Sequence, residues 1–355
     1  MLKNRRSRLK PFFEDNTLDA ILFTSLENIR YFCGFSGSDG ALMLTRDEAW
    51  FLCDSRYTTQ AAEEVGNAEV REFAAKYEAI CGLIIEKGIR RFGFEATRMP
   101  VSDFRQLSER LPGSELVGIG TTLDAVRSCK DQGEIELLAR VAALASDSLQ
   151  SVLAYIKPGI RETDLALELE IEMRRRGADA RAFDFIVASG VRGAMPHGRA
   201  SDKLLRSGEL VTIDFGALKD GYHSDETVTV AVGRPDARSC EIHEIVRQAH
   251  DRAVAAVRPG MCCRDIDAIA RDFIREHGYG DYFGHGLGHG VGLEIHEKPV
   301  ISPRSETIIE KGMVFTIEPG IYVPGFGGVR IEDTVVVASD GCRLLTRAPK
   351  ELIQL

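Results

Sequence analysis

The second half of the chain repeats itself, and that repeat constrains the fold more than any other feature of the sequence. Ile156-Lys157-Pro158-Gly159 opens a segment that runs through Thr163-Asp164-Leu165 into a helical pattern ending at Gly177. Val257-Arg258-Pro259-Gly260 opens a second, through Arg264-Asp265-Ile266 to Gly278, displaced by 101 residues at both ends. The first helix carries acids early and Arg174-Arg175-Arg176 late, as a helix dipole favours, and Gly177 is placed to cap it. The echo continues into strands. Residues 208–216 (GELVTIDFG) align with 312–320 (GMVFTIEPG), and Asp225-Glu226-Thr227-Val228 with Glu332-Asp333-Thr334-Val335. Helix, strand and acid recur in one order, which predicts a pseudo-symmetric α/β unit with two acids from each half.

Ahead of the repeat, short β-rich runs alternate with helical ones. Residues 20–24, 41–45 and 49–53 read as strands, residues 34–40 as a loop and residues 56–65 as a helix. This α/β domain closes near Gly118-Ile119-Gly120. A helix follows from Gln132, with Ile135, Leu138, Ala142, Ala145 and Leu149 at three-to-four spacing, and Pro158-Gly159 stops it. At 355 residues the chain is long enough for two cores. The predicted division is an N-terminal domain over residues 1–122 and a second domain over 123–355.

Charge and composition exclude some partners. A net charge of −9 opposes nucleic acid, whose phosphates want the opposite sign. The basic stretch from Met1 to Lys10 resembles the start of a signal peptide, but Pro11-Phe12-Phe13 runs straight into Glu14-Asp15-Asn16, so secretion is not expected. No apolar run approaches the length of a membrane span, so no membrane partner is expected. The eight cysteines are scattered with no CxxC, which suits thiols in a reducing, cytoplasmic compartment. All eight histidines lie at or after His197, so any imidazole chemistry belongs to the second domain.

Two hairpins bring the acids together. Asp220-Gly221, between two strand-like runs, is a strong two-residue turn signal. It pairs residues whose numbers sum to 441, so Asp225 opposes Gly216, and Asp214 lies on the same face, diagonal to Asp225. In the other half Glu318 and Glu332 flank the turn 324–328 and stand opposite each other about residue 325. Four carboxylates in one interior site cannot all stay ionised without compensating cations. His285, His289 and His296 lie in the glycine-rich run 284–296, which allows close backbone approach. One nitrogen donor with four carboxylates suits a paired site for manganese, cobalt, iron or zinc.

At this point the residues resemble a known family. Ile213-Asp214-Phe215-Gly216, Ser224-Asp225, the run from His285 to His296, Ile317-Glu318-Pro319-Gly320 and Arg330-Ile331-Glu332-Asp333 are similar to the pita-bread metallopeptidases, which include aminopeptidase P, prolidase and methionine aminopeptidase. Residues 28–57, from Asn28-Ile29-Arg30-Tyr31 to Asp54-Ser55-Arg56-Tyr57, resemble the creatinase-type domain that aminopeptidase P and prolidase carry. The resemblance implies an α/β (α+β) fold with a creatinase-like domain ahead of a pita-bread catalytic domain. It implies that Asp214, Asp225, His289, Glu318 and Glu332 bind two divalent metal ions, manganese first among the choices, with Asp225 and Glu332 bridging. His289 is preferred to His285 because it precedes His296 and Glu318 by the family's intervals. His285 is then an active-site neighbour, His197 a proton-handling residue, and His296 the holder of the scissile carbonyl. Glu318 doubles as the residue that passes a proton to the leaving nitrogen, while Tyr322 and Arg330 fall at positions behind the ligands and on the substrate side. The implied partners are short proline-containing peptides, and the implied assembly is a homodimer.

Within that family the intact donors count against creatinase and against a catalytically dead binding protein. The N-terminal domain and the 14 residues between Glu318 and Glu332 count against methionine aminopeptidase. Some prolidases carry an arginine just after the proline matching Pro299, suited to a dipeptide's free carboxylate. This chain has Val300 there, with Lys298 nearby, which leans towards an Xaa-Pro aminopeptidase of the aminopeptidase P type over an Xaa-Pro dipeptidase.

Overall fold

The computed structural model describes residues 2–120 and 123–355. Two compact units result, one extending to Val126 and one from Arg127 to Leu355. The expected boundary at residue 122 lies outside the described residues.

The first unit is built on six strands: β1 (Ala20–Phe23), β2 (Ala41–Leu44), β3 (Ala49–Cys53), β4 (Glu69–Glu72), β5 (Arg91–Glu95) and β6 (Glu115–Ile119). They form one mixed sheet in the order β4-β3-β2-β1-β5-β6. Strands β1, β2 and β3 are buried at every position, which explains why they read as continuous apolar runs and not as alternation. The helix expected over 56–65 forms as Thr58–Glu64.

The second unit opens with the helix Gln132–Val152. Its first turn carries a capping box, Asp131 accepting from the Glu134 N–H at 3.0 Å and Glu134 from the Asp131 N–H at 2.9 Å. Leu138, Ala142, Ala145 and Leu149 face the core, as their spacing predicts, while Ile135 is only half-buried. With its short 3₁₀ extension to Tyr155, this helix holds an 18-residue window that is long and apolar enough, by length and composition alone, to cross a membrane. Half of the window is buried inside the unit, and Ser146 within it bonds Glu226 at 2.5 Å, so it packs as a core helix.

The repeat is real in three dimensions. The helices Glu162–Arg175 and Cys263–Glu276 stand 101 residues apart at both ends, and both are followed by a glycine with positive φ, Gly177 at 100° and Gly278 at 83°. The strands are β7 (Ala180–Arg181), β8 (Ile186–Ser189), β9 (Leu210–Phe215), β10 (Ala217–Lys219), β11 (Tyr222–His223), β12 (Glu226–Ala231), β13 (Gly288–Gly290), β14 (Glu297–Ile301), β15 (Val314–Ile317), β16 (Gly320–Val323), β17 (Gly327–Arg330), β18 (Asp333–Val337) and β19 (Cys342–Leu344). One half gives the sheets β12-β9-β8 and β11-β10-β7, the other β14-β13-β15-β18-β19 and β16-β17.

Both hairpins keep the predicted register. At the first turn Asp220 and Gly221 take φ of 49° and 75°, the two positive values of a type I′ turn. Lys219 then faces Tyr222, and further out Phe215 faces Glu226 and Asp214 faces Thr227. Between these rungs only glycine fits at 216, because a Cβ there would lie 1.9 Å from the Ser224 carbonyl oxygen. In the second hairpin Val323 faces Gly327, Gly320 faces Arg330 and Ile317 faces Asp333, a register centred on residue 325.

The C-terminal segment locks the two halves. Lys350, its side chain 11% exposed, has its Nζ 2.7 Å from Glu226 and 3.2 Å from Asp333, one buried acid from each half. Removing one partner of a buried ion pair strands the others without compensation and costs about 3–5 kcal/mol. Lys350→Met should therefore lower the unfolding free energy by an amount in that range, read from the midpoint and slope of a urea melt. A loss below about 1 kcal/mol, the scale of an exposed pair, would show that Lys350 does not neutralise these acids.

Candidate metal centre

Five donor-type side chains converge where the strands of the two hairpins end. Asp214 is in β9, Asp225 immediately precedes β12, Glu318 immediately follows β15, Glu332 precedes β18, and His289 is the middle residue of β13. Together with Phe183, Asp184, Ile186, His197, Arg199, His285, Ile295, His296, Val300 and Arg330 they line a cavity of about 520 Å³. That size is typical of small-molecule sites.

At the centre, Asp225, His289 and Glu332 each offer a ligand atom, all within 4.8 Å of one another. His289 Nε2 stands 3.5 Å from Asp225 Oδ2 and 3.5 Å from Glu318 Oε1. Its Nδ1 lies 3.1 Å from the Gly290 carbonyl. A proton held at Nδ1 by that carbonyl leaves the Nε2 lone pair facing the acids. His285 is turned away from them. Its Nε2 meets the Tyr322 hydroxyl at 2.9 Å and its Nδ1 lies 2.7 Å from the Gly286 carbonyl.

Arg330 organises one side of the cavity. It is buried and donates to Asp214 at 2.5 Å, to the Tyr322 hydroxyl at 3.0 Å, to the Pro196 carbonyl at 3.1 Å and to Thr227 at 3.2 Å. Tyr322 is set back behind Arg330 and His285 and is not among the lining residues, so it reaches the cavity only through them. His197 and His296 are exposed at the cavity wall, with the His296 ring centroid 4.3 Å from that of His289.

The electrostatics call for cations. Burial, then repulsion from Glu332, Asp214 and Glu318, pushes the Asp225 carboxyl well above its usual range. Glu332 is driven up in the same way, by burial and then by Glu318 and Asp214. Glu318 is pushed up to about 8, chiefly by burial. The His289 imidazole is pushed down to about 4, by burial and then by His296, so it is a neutral donor at pH 7. Asp214 Oδ1 is buried with no hydrogen-bond partner. Buried polar atoms are seldom left in that state, and a cation would complete it. Carboxylates and one imidazole at this spacing fit divalent metal ions.

Several supporting groups escaped the sequence reading. The Thr227 hydroxyl donates to Glu332 at 2.6 Å, and the Thr316 hydroxyl to Glu318 at 3.3 Å while accepting the His289 N–H at 3.1 Å. Each threonine lies two residues from an acid on its strand and hence on the same face, a signal that was there to be read. Asp267 and Arg271 hold the loop before β13. Asp267 accepts from the Leu287 N–H at 3.0 Å, and Arg271 donates to the His285 carbonyl at 2.6 Å.

Comparison with known proteins agrees with this architecture. Residues 136–339 match Metallopeptidase family M24, and residues 5–129 match the Creatinase/Prolidase N-terminal domain. The chain is 40% identical over 352 residues to the Xaa-Pro dipeptidase of Pyrococcus furiosus, covering 99% of this chain and all of that protein. Among solved structures, an Xaa-Pro dipeptidase from Bacillus anthracis is 40% identical with a TM-score of 0.97 over the whole of both chains. An X-Pro aminopeptidase from Thermotoga maritima is 38% identical with a TM-score of 0.90, over 99% of each chain.

Two outcomes test the centre. His289→Ala should lower metal stoichiometry and kcat together, whereas His285→Ala should keep the metals and lower turnover or raise KM. Elemental analysis beside kinetics decides, and loss of an ion from His285→Ala alone would exchange the two roles. The second outcome concerns pH. Carboxyls whose folded pKa is raised stabilise the fold fully below their unfolded pKa and lose that contribution as pH rises through the folded value. For Glu318 the window runs from its ordinary 4.5 up to about 8. The metal-stripped protein should therefore lose thermal stability between pH 5 and 8, and added metal should remove the loss. A melting temperature of the stripped protein that is flat or rising across this window would contradict the buried-acid account.

Proposed function

We propose that this chain, which belongs to metallopeptidase family M24, hydrolyses the bond between an N-terminal residue and proline in Xaa-Pro dipeptides. The observation that carries the reading is one cavity in which four carboxylates and a neutral imidazole meet, with His197 and His296 on its wall. The choice of a dipeptide rests on full-length likeness to proteins named Xaa-Pro dipeptidase. Asp214, Asp225, His289, Glu318 and Glu332 would hold two divalent ions, manganese being the first to test and cobalt, zinc or iron the alternatives. Such ions, when bound, make water nucleophilic near neutral pH and polarise the scissile carbonyl.

The chain's own groups do the rest. His296, on the cavity wall beside His289, is placed to donate to the scissile carbonyl oxygen as it becomes an oxyanion. The leaving proline nitrogen is a tertiary amide without an N–H and must gain a proton from the site. Glu318, within reach of His289, can take a proton and deliver it to that nitrogen. Arg330 and Tyr322 fix Asp214, and the Arg330 contact with the Pro196 carbonyl ties down the segment that carries His197. Phe183, Ile186, Ile295 and Val300 give the cavity an apolar wall suited to the proline ring.

The aminopeptidase reading is the alternative, favoured by the apolar Val300 and by the Thermotoga maritima likeness. The eight cysteines are free thiols, which supports a cytoplasmic setting, and a homodimer is the assembly to test by sedimentation. One assay separates the two substrates. Activity should be lost with chelator, return with manganese or cobalt, and be greater in kcat/KM on an Xaa-Pro dipeptide than on the matching Xaa-Pro-Yaa tripeptide. Preference for the tripeptide would transfer the assignment to an aminopeptidase, and full activity in metal-free protein would end both.

A further inference from the structure

A dipeptide substrate poses an electrostatic difficulty to this cavity. Its carboxylate lies one residue, roughly 3.3–3.6 Å, beyond the scissile bond. The lining holds five carboxyl side chains, Asp184, Asp214, Asp225, Glu318 and Glu332, against two guanidinium groups, Arg199 and Arg330. Bound cations would be spent on the four central acids. Arg330 is buried and committed to Asp214, Tyr322 and Pro196. Val300, on the apolar wall, offers no charge.

Arg199 is different. Its backbone is fixed on both sides: the N–H donates to the His197 carbonyl at 2.9 Å, the carbonyl accepts from Arg192 Nη2 at 2.7 Å, and it bridges to Ile186. The guanidinium therefore springs from a rigid point two residues from His197. It is 76% exposed and pairs with Asp184, itself 41% exposed, at 3.0 Å. Exposed pairs of this kind contribute little, so the guanidinium is free to exchange Asp184 for a better anion. A substrate carboxylate is such an anion, because a planar guanidinium binds it through two parallel hydrogen bonds while the rest of the substrate is held in the cavity.

We propose that Arg199, at the rim of the cavity, receives the C-terminal carboxylate of the dipeptide substrate and so determines the preference for dipeptides. This rests on the Xaa-Pro dipeptidase reading. It gives Arg199 a role in specificity and none in bond breaking. The Phe183–Ile186 side of the cavity would take the proline ring while Arg199 closes over its carboxylate.

The test compares an Xaa-Pro dipeptide with its C-terminal amide, Xaa-Pro-NH2, on the manganese-loaded wild type, Arg199→Gln and Arg199→Lys, with metal content measured for each. Wild type should prefer the free acid. In Arg199→Gln the acid-to-amide ratio of kcat/KM should fall about 10–100-fold, the worth of one charge-assisted contact, and the loss should sit in KM for the acid. Arg199→Lys should recover part of the ratio, since it keeps the charge and loses the fork. An unchanged ratio in Arg199→Gln with full metal content overturns the inference and leaves the dipeptidase reading standing. A wild type that prefers the amide, or cleaves neither, overturns the reading and the inference with it.

Discussion

Mutual repulsion among buried carboxylates is the constraint on which the second unit depends. Asp214, Asp225, Glu318 and Glu332 share one cavity wall, and burial with mutual repulsion drives three of them, Asp225, Glu318 and Glu332, above their ordinary range. A fold gains nothing by gathering such groups unless something else answers their charge. Of the two guanidinium groups on this cavity, the buried one, Arg330, is committed to Asp214, and Arg199 pairs with Asp184 at the rim. The remaining acids have His289, a neutral donor, and hydroxyls from Thr227 and Thr316. None of these carries a positive charge, so the acids are either held protonated, as their raised pKa values allow, or answered by cations from solution.

Pseudo-symmetry is what brings the acids into register. Each hairpin carries one acid on the incoming strand and one on the returning strand, and each register is fixed by its own turn. The halves then clasp each other through reciprocal threonines. Thr227 of the first half donates to Glu332 of the second at 2.6 Å, and Thr334 of the second donates to the Asp225 carbonyl of the first at 2.8 Å. A backbone bond from the Glu332 N–H to the Thr227 carbonyl, at 3.1 Å, closes the seam. Such cross-bonding fixes the spacing of Asp225 and Glu332 to within a hydrogen bond's tolerance, the precision they would need to share an ion as proposed.

What could be read from the sequence was whatever lies within one hairpin or one repeat. The Asp220-Gly221 turn set the first register through the requirement for positive φ, and residue 325 set the second through symmetry about a loop. The three N-terminal strands were legible because full burial leaves unbroken apolar runs. Contacts between distant segments were not legible. Nothing local in Arg330 shows that it will hold Asp214, 116 residues away, and nothing local in Tyr322 shows that its hydroxyl will meet both Arg330 and His285. The helix Gln132–Val152 was legible from its three-to-four spacing, but the bonds that tie Glu134 to Tyr222 and Ser146 to Glu226 were not, because each partner lies some 80 residues or more away.

Strand alternation explains why acids come in adjacent pairs, Asp225-Glu226 and Glu332-Asp333, at equivalent places in the two halves. Neighbouring side chains on a strand point to opposite faces. Asp225 and Glu332 turn into the cavity, while Glu226 and Asp333 turn to the other side, where Lys350 lies 2.7 Å from one and 3.2 Å from the other. Glu226 also accepts from Ser146 and from the Ala348 N–H, and Asp333 accepts from Thr346 while standing 3.2 Å from His250. Cations held by Asp225 and Glu332, as proposed, would therefore join the same two strand ends that Lys350 joins from the opposite side. The lysine is covalently part of the chain and is present whether or not metal is bound, so it can hold the strand ends together before any ion arrives. On this account the metal completes a geometry that the reverse face has already set, and the cost of assembling like charges is shared between a permanent cation and exchangeable ones.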